Sequence, residues 1–288
     1  MKKFLLSLIF LFLTICASDC FSQATKGTLV IIGGGEKTNE IMERIVNLAG
    51  GFDSKIIIIP NASGYPKEAA ISTVEQFNNI GCTNVDYILF TREDADKDSL
   101  VEILNGADVI FFSGGDQSYL TRDMLNTKLL DKVFEIYNTG GVIAGTSAGA
   151  AVMSKIMITG NELINTESSE NFISIQKNNI EVTEGFGFIN NAFIDQHFVK
   201  RKRLNRTISV VLENPNMLGI GIDESTCIVV NPDETFEVLG ENQVIVFDAS
   251  NSTNIKTDKN GNLGAENVTM YLLINGDQFD MISKTIIN

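Results

Sequence analysis

The sequence predicts an α/β protein with a three-layer α/β/α arrangement around a mainly parallel central sheet. In the first half, continuous apolar stretches such as "KIIIIP" and "DVIFFSGG" alternate with segments whose apolar residues recur at helical spacing. Uninterrupted apolar strands are typical of parallel sheets, because the connecting helices bury both faces. In the second half, strand-like stretches follow one another with mostly turns between them, which predicts an antiparallel or mixed extension of the same sheet.

The elements of the first half have recognisable boundary signals. "TLVIIGGG", residues 28–35, is a predicted strand that enters a glycine turn, and Thr38 is placed to cap the following helix. Pro66 begins a second helix, which Gly81 ends. The strand "VDYILF" and a short helix lead to "DVIFFSGG", then to a helix from about Gln117 to Tyr137, and then to "GVIAGTS".

The second half contains five strand-like stretches and one polar segment. The stretches are "AFIDQH", "MLGIGIDESTCIVV", "TFEVLG", "QVIVFD" and "TMYLLING". The polar segment "DASNSTNIKTDKNGNLGAEN" predicts a surface loop. No linker is long enough to separate two domains, so residues 23–288 are expected to form a single domain.

Charge and the N-terminus limit the partners and the location. The formal net charge of −14 disfavours nucleic acid and anionic membranes as partners. Lys2 and Lys3 precede the apolar run "FLLSLIFLFLTI", which is too short to span a bilayer comfortably and is typical of a signal peptide. We expect residues 1–22 to be removed and the mature protein to be exported, periplasmic or extracellular, with no membrane attachment.

No metal or cofactor is expected. His197 is the only histidine and no CxxC pair occurs, which disfavours a zinc site. The stretch "IIGGGEKTNE" lacks the glycine spacing of a dinucleotide-binding turn. Cys82 and Cys227 lie in apolar stretches and are expected to be buried thiols, although a disulfide would be compatible with an oxidising compartment.

The pattern G-x-S-x-G at residues 145–149 lies where a strand passes into a helix. A nucleophile elbow would expose Ser147 at such a turn, and the N-terminus of the helix would stabilise a developing oxyanion. The N–H of Ala148 is one candidate oxyanion donor, and Gly115, in a second glycine turn, is the other. The pentapeptide also fits an ordinary strand–helix turn that carries a serine.

A serine nucleophile needs a base and an acid that orients it. His197 is the only histidine that could act as the base. Four carboxylates could orient the imidazole: Glu224, Asp223, Glu162 and Asp195. We favour Glu224, because it closes an apolar strand, where a charge needs a partner. The order serine, histidine, acid differs from that of α/β-hydrolases, so a triad here would belong to another architecture.

The run "KRKRLNR", residues 200–206, concentrates five basic residues three positions after His197. It is either a solvated helix face or a site for a carboxylate-bearing substrate, since arginines bind carboxylates bidentately.

Four blocks, "FFSGGDQSYL", "GTSAGAAVMS", "DQHFVKRKRLNR" and "GIGIDEST", resemble the cyanophycinase family over about residues 27–250. The resemblance implies a class I glutamine amidotransferase-like fold and a serine exopeptidase that hydrolyses cyanophycin, multi-L-arginyl-poly-L-aspartate, to β-Asp-Arg dipeptides. It implies Ser147 as nucleophile, His197 as base and Glu224 as acid. It also implies a substrate pocket lined by Gln117, Asp195, Gln196, Arg201, Arg203 and Arg206.

Two alternatives stand beside this interpretation. Only some members of the family are exported, so the substrate could be another α- or β-aspartyl peptide. A catalytically inactive binding protein for arginyl-aspartyl peptides is a third hypothesis, which the intact serine and histidine disfavour. A homodimer is a possible assembly state.

Overall fold

The computed structural model describes residues 27–164, 166 and 172–287 and has a mixed α/β fold. The predicted signal peptide, residues 1–22, lies outside the described residues. Within the described ranges, no helix is both long and apolar enough to cross a bilayer. The helices are, in chain order, α1 (Asn39–Leu48), α2 (Pro66–Asn79), α3 (Asp98–Val101), α4 (Gln117–Met124), α5 (Lys128–Asn138), α6 (Ala148–Ala151) and α7 (Leu204–Glu213), with a 3-10 helix (Glu102–Leu104) after α3.

The strands fall into two main sheets and two hairpins. They are, in chain order, β1 (Thr28–Ile32), β2 (Ile56–Ile59), β3 (Val85–Tyr87), β4 (Val109–Phe112), β5 (Val142–Thr146), β6 (Ile156–Glu162), β7 (Ile180–Glu184), β8 (Ala192–Gln196), β9 (Leu218–Ile222), β10 (Thr226–Val230), β11 (Thr235–Gly240), β12 (Val244–Asp248), β13 (Thr253–Thr257), β14 (Leu263–Glu266), β15 (Thr269–Leu273), β16 (Gln278–Asp280) and β17 (Thr285–Ile287).

The central sheet has the strand order β17-β16-β11-β10-β1-β5-β4-β2-β3. The strands from β1 to β3 in this order are parallel, and those from β10 outward are antiparallel. Ile56 and Ile58 of β2 pack with α1 and α2 on one face, whereas Ile57 and Ile59 join the core beneath α4, α5 and α6 on the other. The three-layer arrangement and the mainly parallel sheet with antiparallel strands toward the C-terminus agree with the sequence-based prediction.

The face under α1 and α2 also contains both cysteines of the described residues. Cys82 follows α2 and Cys227 lies in β10, and both are free and buried. Burial raises the pKa of each thiol. These side chains therefore behave as small apolar core residues, not as reactive thiols.

A second sheet has the order β15-β12-β9-β8, so the expectation that all strands of the second half extend one sheet is wrong for these four. One face of this sheet packs under α7 and the other joins the core beneath α6. The strands β9 and β10 are separated by a turn of three residues, 223–225, yet β10 pairs with β1 and β9 pairs with β8 and β12. Both strands are apolar on both faces, so the sequence pattern contains no signal for this change of sheet.

Two local predictions also need correction. The helix expected from Gln117 to Tyr137 is divided into α4 and α5, because Asn126 adopts φ 57° and the side chain of Thr127 caps α5 by accepting from the N–H of Leu130. The segment predicted as a polar surface loop forms the hairpin β13–β14, although its strands are largely exposed.

A buried ion pair attaches α7 to β8. Arg206 donates from Nε and Nη2 to both carboxylate oxygens of Asp195, and the hydroxyl of Thr207 donates to Asp195 Oδ2 over 2.7 Å. The two charged side chains are 2% and 0% exposed, and the guanidinium carbon lies 4.7 Å from the centre of the Phe172 ring. Burial raises the pKa of Asp195, but the charge and hydrogen bonds of Arg206 outweigh it, and the pKa of Asp195 is lowered.

We expect Arg206→Ala to lower the free energy of unfolding by about 3–5 kcal/mol, because it leaves the carboxylate of Asp195 buried without a counterion. Urea denaturation measures the change. Arg201→Ala, at an exposed position in the same basic run, is the control and should change it by less than about 0.5 kcal/mol. Equal effects of the two substitutions would contradict a stabilising role for the buried pair.

Candidate active site

Ser147 occupies a strained turn between β5 and α6, with φ 54° and ψ −109°. Non-glycine residues rarely adopt such angles, and they persist where the surrounding structure enforces them. Gly149, in the first turn of α6, allows this: a Cβ there would lie 2.7 Å from Cβ of Phe112 in β4. Close packing of α6 on β4 therefore holds the serine side chain at the carboxyl edge of the central sheet.

His197 reaches this serine from the second sheet. It directly follows β8, has φ 49° and is 7% exposed. Its Nε2 lies 2.9 Å from Ser147 Oγ, and its Nδ1 lies 2.6 Å from Oε1 of Glu224, in the turn after β9. The site therefore joins the carboxyl ends of strands from both sheets, and a serine, an imidazole and a carboxylate form a continuous hydrogen-bonded chain.

Of the four carboxylates considered from the sequence, the structure places Glu224 against the imidazole. Asp223 accepts from the backbone N–H of Lys200 over 3.0 Å. Glu162 accepts from the side-chain amide of Asn179 and the N–H of Phe172. Asp195 is bound by Arg206.

The charges around His197 favour the neutral imidazole. Burial lowers the pKa of His197, the hydrogen bond to Glu224 opposes this, and the positive charges of Arg201 and Arg203 lower it further. The hydrogen bond from His197 in turn lowers the pKa of Glu224, which is ionised at neutral pH. An ionised carboxylate accepts, so Nδ1–H donates to Oε1 and the lone pair on Nε2 faces the serine hydroxyl.

The glycine run 33–35 makes room for this arrangement, and sequence reasoning did not assign it a role. A Cβ on Gly34 would overlap Cε1 of His197, and a Cβ on Gly35 would lie 2.7 Å from Cβ of Glu224. Both glycines have positive φ, 108° and 70°. The signal in the sequence was three glycines at a strand end without a dinucleotide-binding spacing, which indicates close approach of other side chains.

The two candidate oxyanion donors differ in their surroundings. Neither Ala148 N–H nor Gly115 N–H donates to another described residue. Ala148 directly follows Ser147, whereas Gly115, φ 144°, packs against the backbone of Ala62. Gly114 is the nearer glycine of this turn, since a Cβ on it would lie 3.2 Å from Cβ of Ser147. The turn "SGGDQ" thus lies beside the serine, with Gly114 in direct contact.

The remaining candidate residues lie at different depths. The side-chain oxygen Oε1 of Gln196 lies 3.5 Å from Ser147 Oγ, and Arg203 Nη1 donates to the backbone carbonyl of Gln196 over 2.7 Å. Gln117, at the start of α4, is buried and donates to the carbonyl of Ile158 in β6 over 2.9 Å. Arg201 is exposed, while Asp195 and Arg206 lie beneath the site, out of solvent.

The part of the chain that the structure describes contains no group of three or more His, Cys, Asp or Glu side chains arranged to hold a metal ion. The hydrogen-bonded chain itself provides what nucleophilic catalysis needs. A base contacts the hydroxyl, and an acid orients the base.

The comparisons with known proteins agree with this geometry. The model of peptidase family S51 matches residues 29–238. A curated cyanophycinase from Synechococcus elongatus is 32% identical over 264 residues, which cover 89% of this chain and 80% of the relative. One from Nostoc sp. is 32% identical over 273 residues, 92% of this chain and 89% of the relative. The crystal structure of a peptidase from an acI-B1 Actinobacterium superposes with a TM-score of 0.64 at 28% identity and covers 90% of this chain and 99% of its own. The chain belongs to peptidase family S51 and is a serine peptidase.

Proposed function

We propose that this protein is an exported exopeptidase that hydrolyses cyanophycin and releases β-Asp-Arg dipeptides. The observation that carries the proposal is the hydrogen-bonded chain Ser147–His197–Glu224, with separations of 2.9 and 2.6 Å, in a chain similar to curated cyanophycinases. The apolar N-terminal run after Lys2 and Lys3 supports export.

The residues of the site suggest the course of the reaction. Ser147 Oγ attacks the carbonyl carbon of the scissile bond while its proton passes to Nε2 of His197. The N–H groups of Ala148 and the Gly114–Gly115 turn stabilise the oxyanion of the tetrahedral intermediate. When the carbon–nitrogen bond breaks, His197 returns the proton to the leaving amine. A water molecule, deprotonated by the same imidazole, then hydrolyses the acyl-enzyme and regenerates the serine.

The charges near the serine suit a substrate that carries carboxylates and guanidinium groups. The net charge of the whole chain is −14, which favours the guanidinium groups of such a substrate. Close to the serine the charge is positive, because Arg201 and Arg203 follow His197. Burial and the neighbouring Arg206 lower the pKa of Arg203 to about 10, so Arg203 stays protonated at neutral pH. We propose that Gln117, Gln196, Arg201 and Arg203 contact the substrate, and that the pair of Asp195 and Arg206 forms the floor of their pocket.

We expect Ser147→Ala to lower the turnover of cyanophycin by several orders of magnitude with unchanged thermal unfolding, since the hydroxyl forms the covalent intermediate. Release of β-Asp-Arg from purified cyanophycin, followed by chromatography, measures it. Ser99→Ala, at an exposed serine in α3, is the control for loss of a hydroxyl and should leave turnover unchanged. Hydrolysis of other β-aspartyl peptides but not of cyanophycin would favour the dipeptidase alternative.

Glu224→Gln should lower kcat by about three to four orders of magnitude, because a neutral amide no longer selects the Nδ1–H tautomer of the imidazole. Glu162→Gln makes the same chemical change at a carboxylate bound to Asn179 and Phe172, and it should lower kcat less than about tenfold. Steady-state kinetics of both variants test the assignment of the acid. Loss of activity in the Glu162 variant alone would refute it.

The acid limb of the pH profile of kcat/KM should have its midpoint below pH 6.5, the ordinary pKa of histidine. The base must be neutral, and because its pKa is lowered, it stays neutral to a lower pH. Arg201→Gln removes a positive charge that lowers this pKa, so its midpoint should move to higher pH. Lys259→Gln, at an exposed position in the β13–β14 hairpin, should leave the midpoint unchanged. A wild-type midpoint above pH 6.5 would contradict the account.

A further inference from the structure

A cavity of about 270 Å³ opens beside Ser147, on the side formed by helix α2 and the ends of β1, β4 and β5. Its walls include the side chains of Ser147, Lys37, Ser72, Gln76 and Ser113. No residue of the range 196–206 lines it, so it is separate from the basic run described above. Ser147 is therefore bordered by a second cavity, to which the proposed reaction assigns no role.

Among the described residues, Lys37 is the only one with a charged side chain that lines this cavity. It is partly buried and makes no hydrogen bond or ion pair with any other described residue. Lys37 also lines an adjoining cavity of about 330 Å³ together with its neighbour Glu36, but no ion pair joins these two described side chains, and Glu36 does not line the cavity beside Ser147. Burial lowers the pKa of Lys37, which reflects a cation held away from water. An ammonium without a counterion in a chain with a net charge of −14 indicates that the partner comes from a ligand.

The rest of the cavity wall is uncharged, and it includes several hydroxyl and amide side chains. The hydroxyl of Ser113 is buried and has no hydrogen-bond partner among the described residues. Ser72 and Gln76 of α2 add a hydroxyl and an amide to the wall. Nε2 of Gln76 lies 3.4 Å from Oγ of Ser72. A single cation surrounded by hydroxyl and amide groups matches a carboxylate, which needs one positive charge and several donors.

We propose that Lys37 and its cavity form a carboxylate subsite that binds an acidic group of the substrate close to the scissile bond. With the proposed function, this group is either the α-carboxylate at the end of the polyaspartate backbone or the carboxylate of the arginine attached to it. The terminal α-carboxylate distinguishes a chain end from an internal residue. An exopeptidase must make this distinction, and capture of a terminal charge is a recurring way to do so.

Serine-directed probes test the subsite without any assumption about cyanophycin. In a fluorophosphonate probe, Ser147 Oγ forms a bond to phosphorus as the phosphorus–fluorine bond breaks and fluoride leaves. Two probe series, with tethers of increasing length, end in a carboxylate or in the matching carboxamide. We expect the wild-type protein to react at least ten times faster with the carboxylate than with the carboxamide at one or more tether lengths, measured as the second-order rate of labelling.

Substitutions at Lys37 identify the cation. Lys37→Met and Lys37→Gln should abolish the preference for the carboxylate and leave the carboxamide rate within about twofold of wild type, and Lys37→Arg should retain the preference. Lys67→Met removes an exposed lysine at the start of α2, which lines a different cavity, and should have no effect. Equal wild-type rates for the two probe series at every tether length would overturn the proposal. So would a preference that persists in both neutral variants.

Amidated peptides identify the source of the carboxylate. Amidation of the backbone terminus of a short cyanophycin peptide should raise KM at least tenfold for wild type but not for Lys37→Met. If KM instead rises in this Lys37-dependent way when the carboxylate of the arginine is amidated, the subsite binds the arginine carboxylate. If neither amidation has an effect that depends on Lys37, the subsite does not act on the substrate. Absence of cyanophycin hydrolysis by the wild type would refute the proposed function, whereas the probe series would still decide whether the subsite exists.

Discussion

Three successive backbone carbonyls at the end of β1 hold the parts of the candidate active site together. Ile32 accepts from the N–H of Ser147 over 3.0 Å, Gly33 from that of His197 over 2.7 Å, and Gly34 from that of Ser225 over 2.9 Å. The serine comes from the neighbouring strand of the same sheet, whereas the histidine comes from the second sheet. Together with the core that the two sheets share beneath α6, these bonds fix the spacing of the sheets at this edge and so the 2.9 Å contact between hydroxyl and imidazole.

The same bonds explain how a strained backbone persists at the site. Ser147, His197 and Ser225 all have positive φ, 54°, 49° and 53°, which costs non-glycine residues about 1–3 kcal/mol each. Each of the three donates its N–H to a carbonyl at or just after the end of β1. Ser147 follows β5, which pairs with β1 and β4, and His197 follows β8, which pairs with β9. The regular part of the fold therefore supplies the free energy that keeps these turns in a strained conformation, in which the side chains of Ser147 and His197 meet.

The sequence predicted most of the parallel half of the fold and the chemical groups of the site, but not how the two sheets meet. Continuous apolar strands and helix caps such as Thr38 depend on local spacing, so they could be predicted. The assignment of β9 and β10 to different sheets depends on which neighbours each strand finds, and both strands are apolar throughout. In the same way, burial of Arg206 against Asp195 is a tertiary property: in the sequence, this arginine looked like the other basic residues of the run.

The positive charges beside the serine have two effects that work together in the proposed reaction. Arg201 and Arg203 lower the pKa of His197, which keeps the imidazole neutral before substrate arrives. A substrate carboxylate bound to these arginines would neutralise part of their charge, and the pKa of the imidazole would then rise. The base would thus become stronger only after a carboxylate is in place, when the proton of the serine has to be removed. In an acidic chain, a few arginines close to one histidine can in this way couple recognition of the substrate to the basicity of the catalytic group.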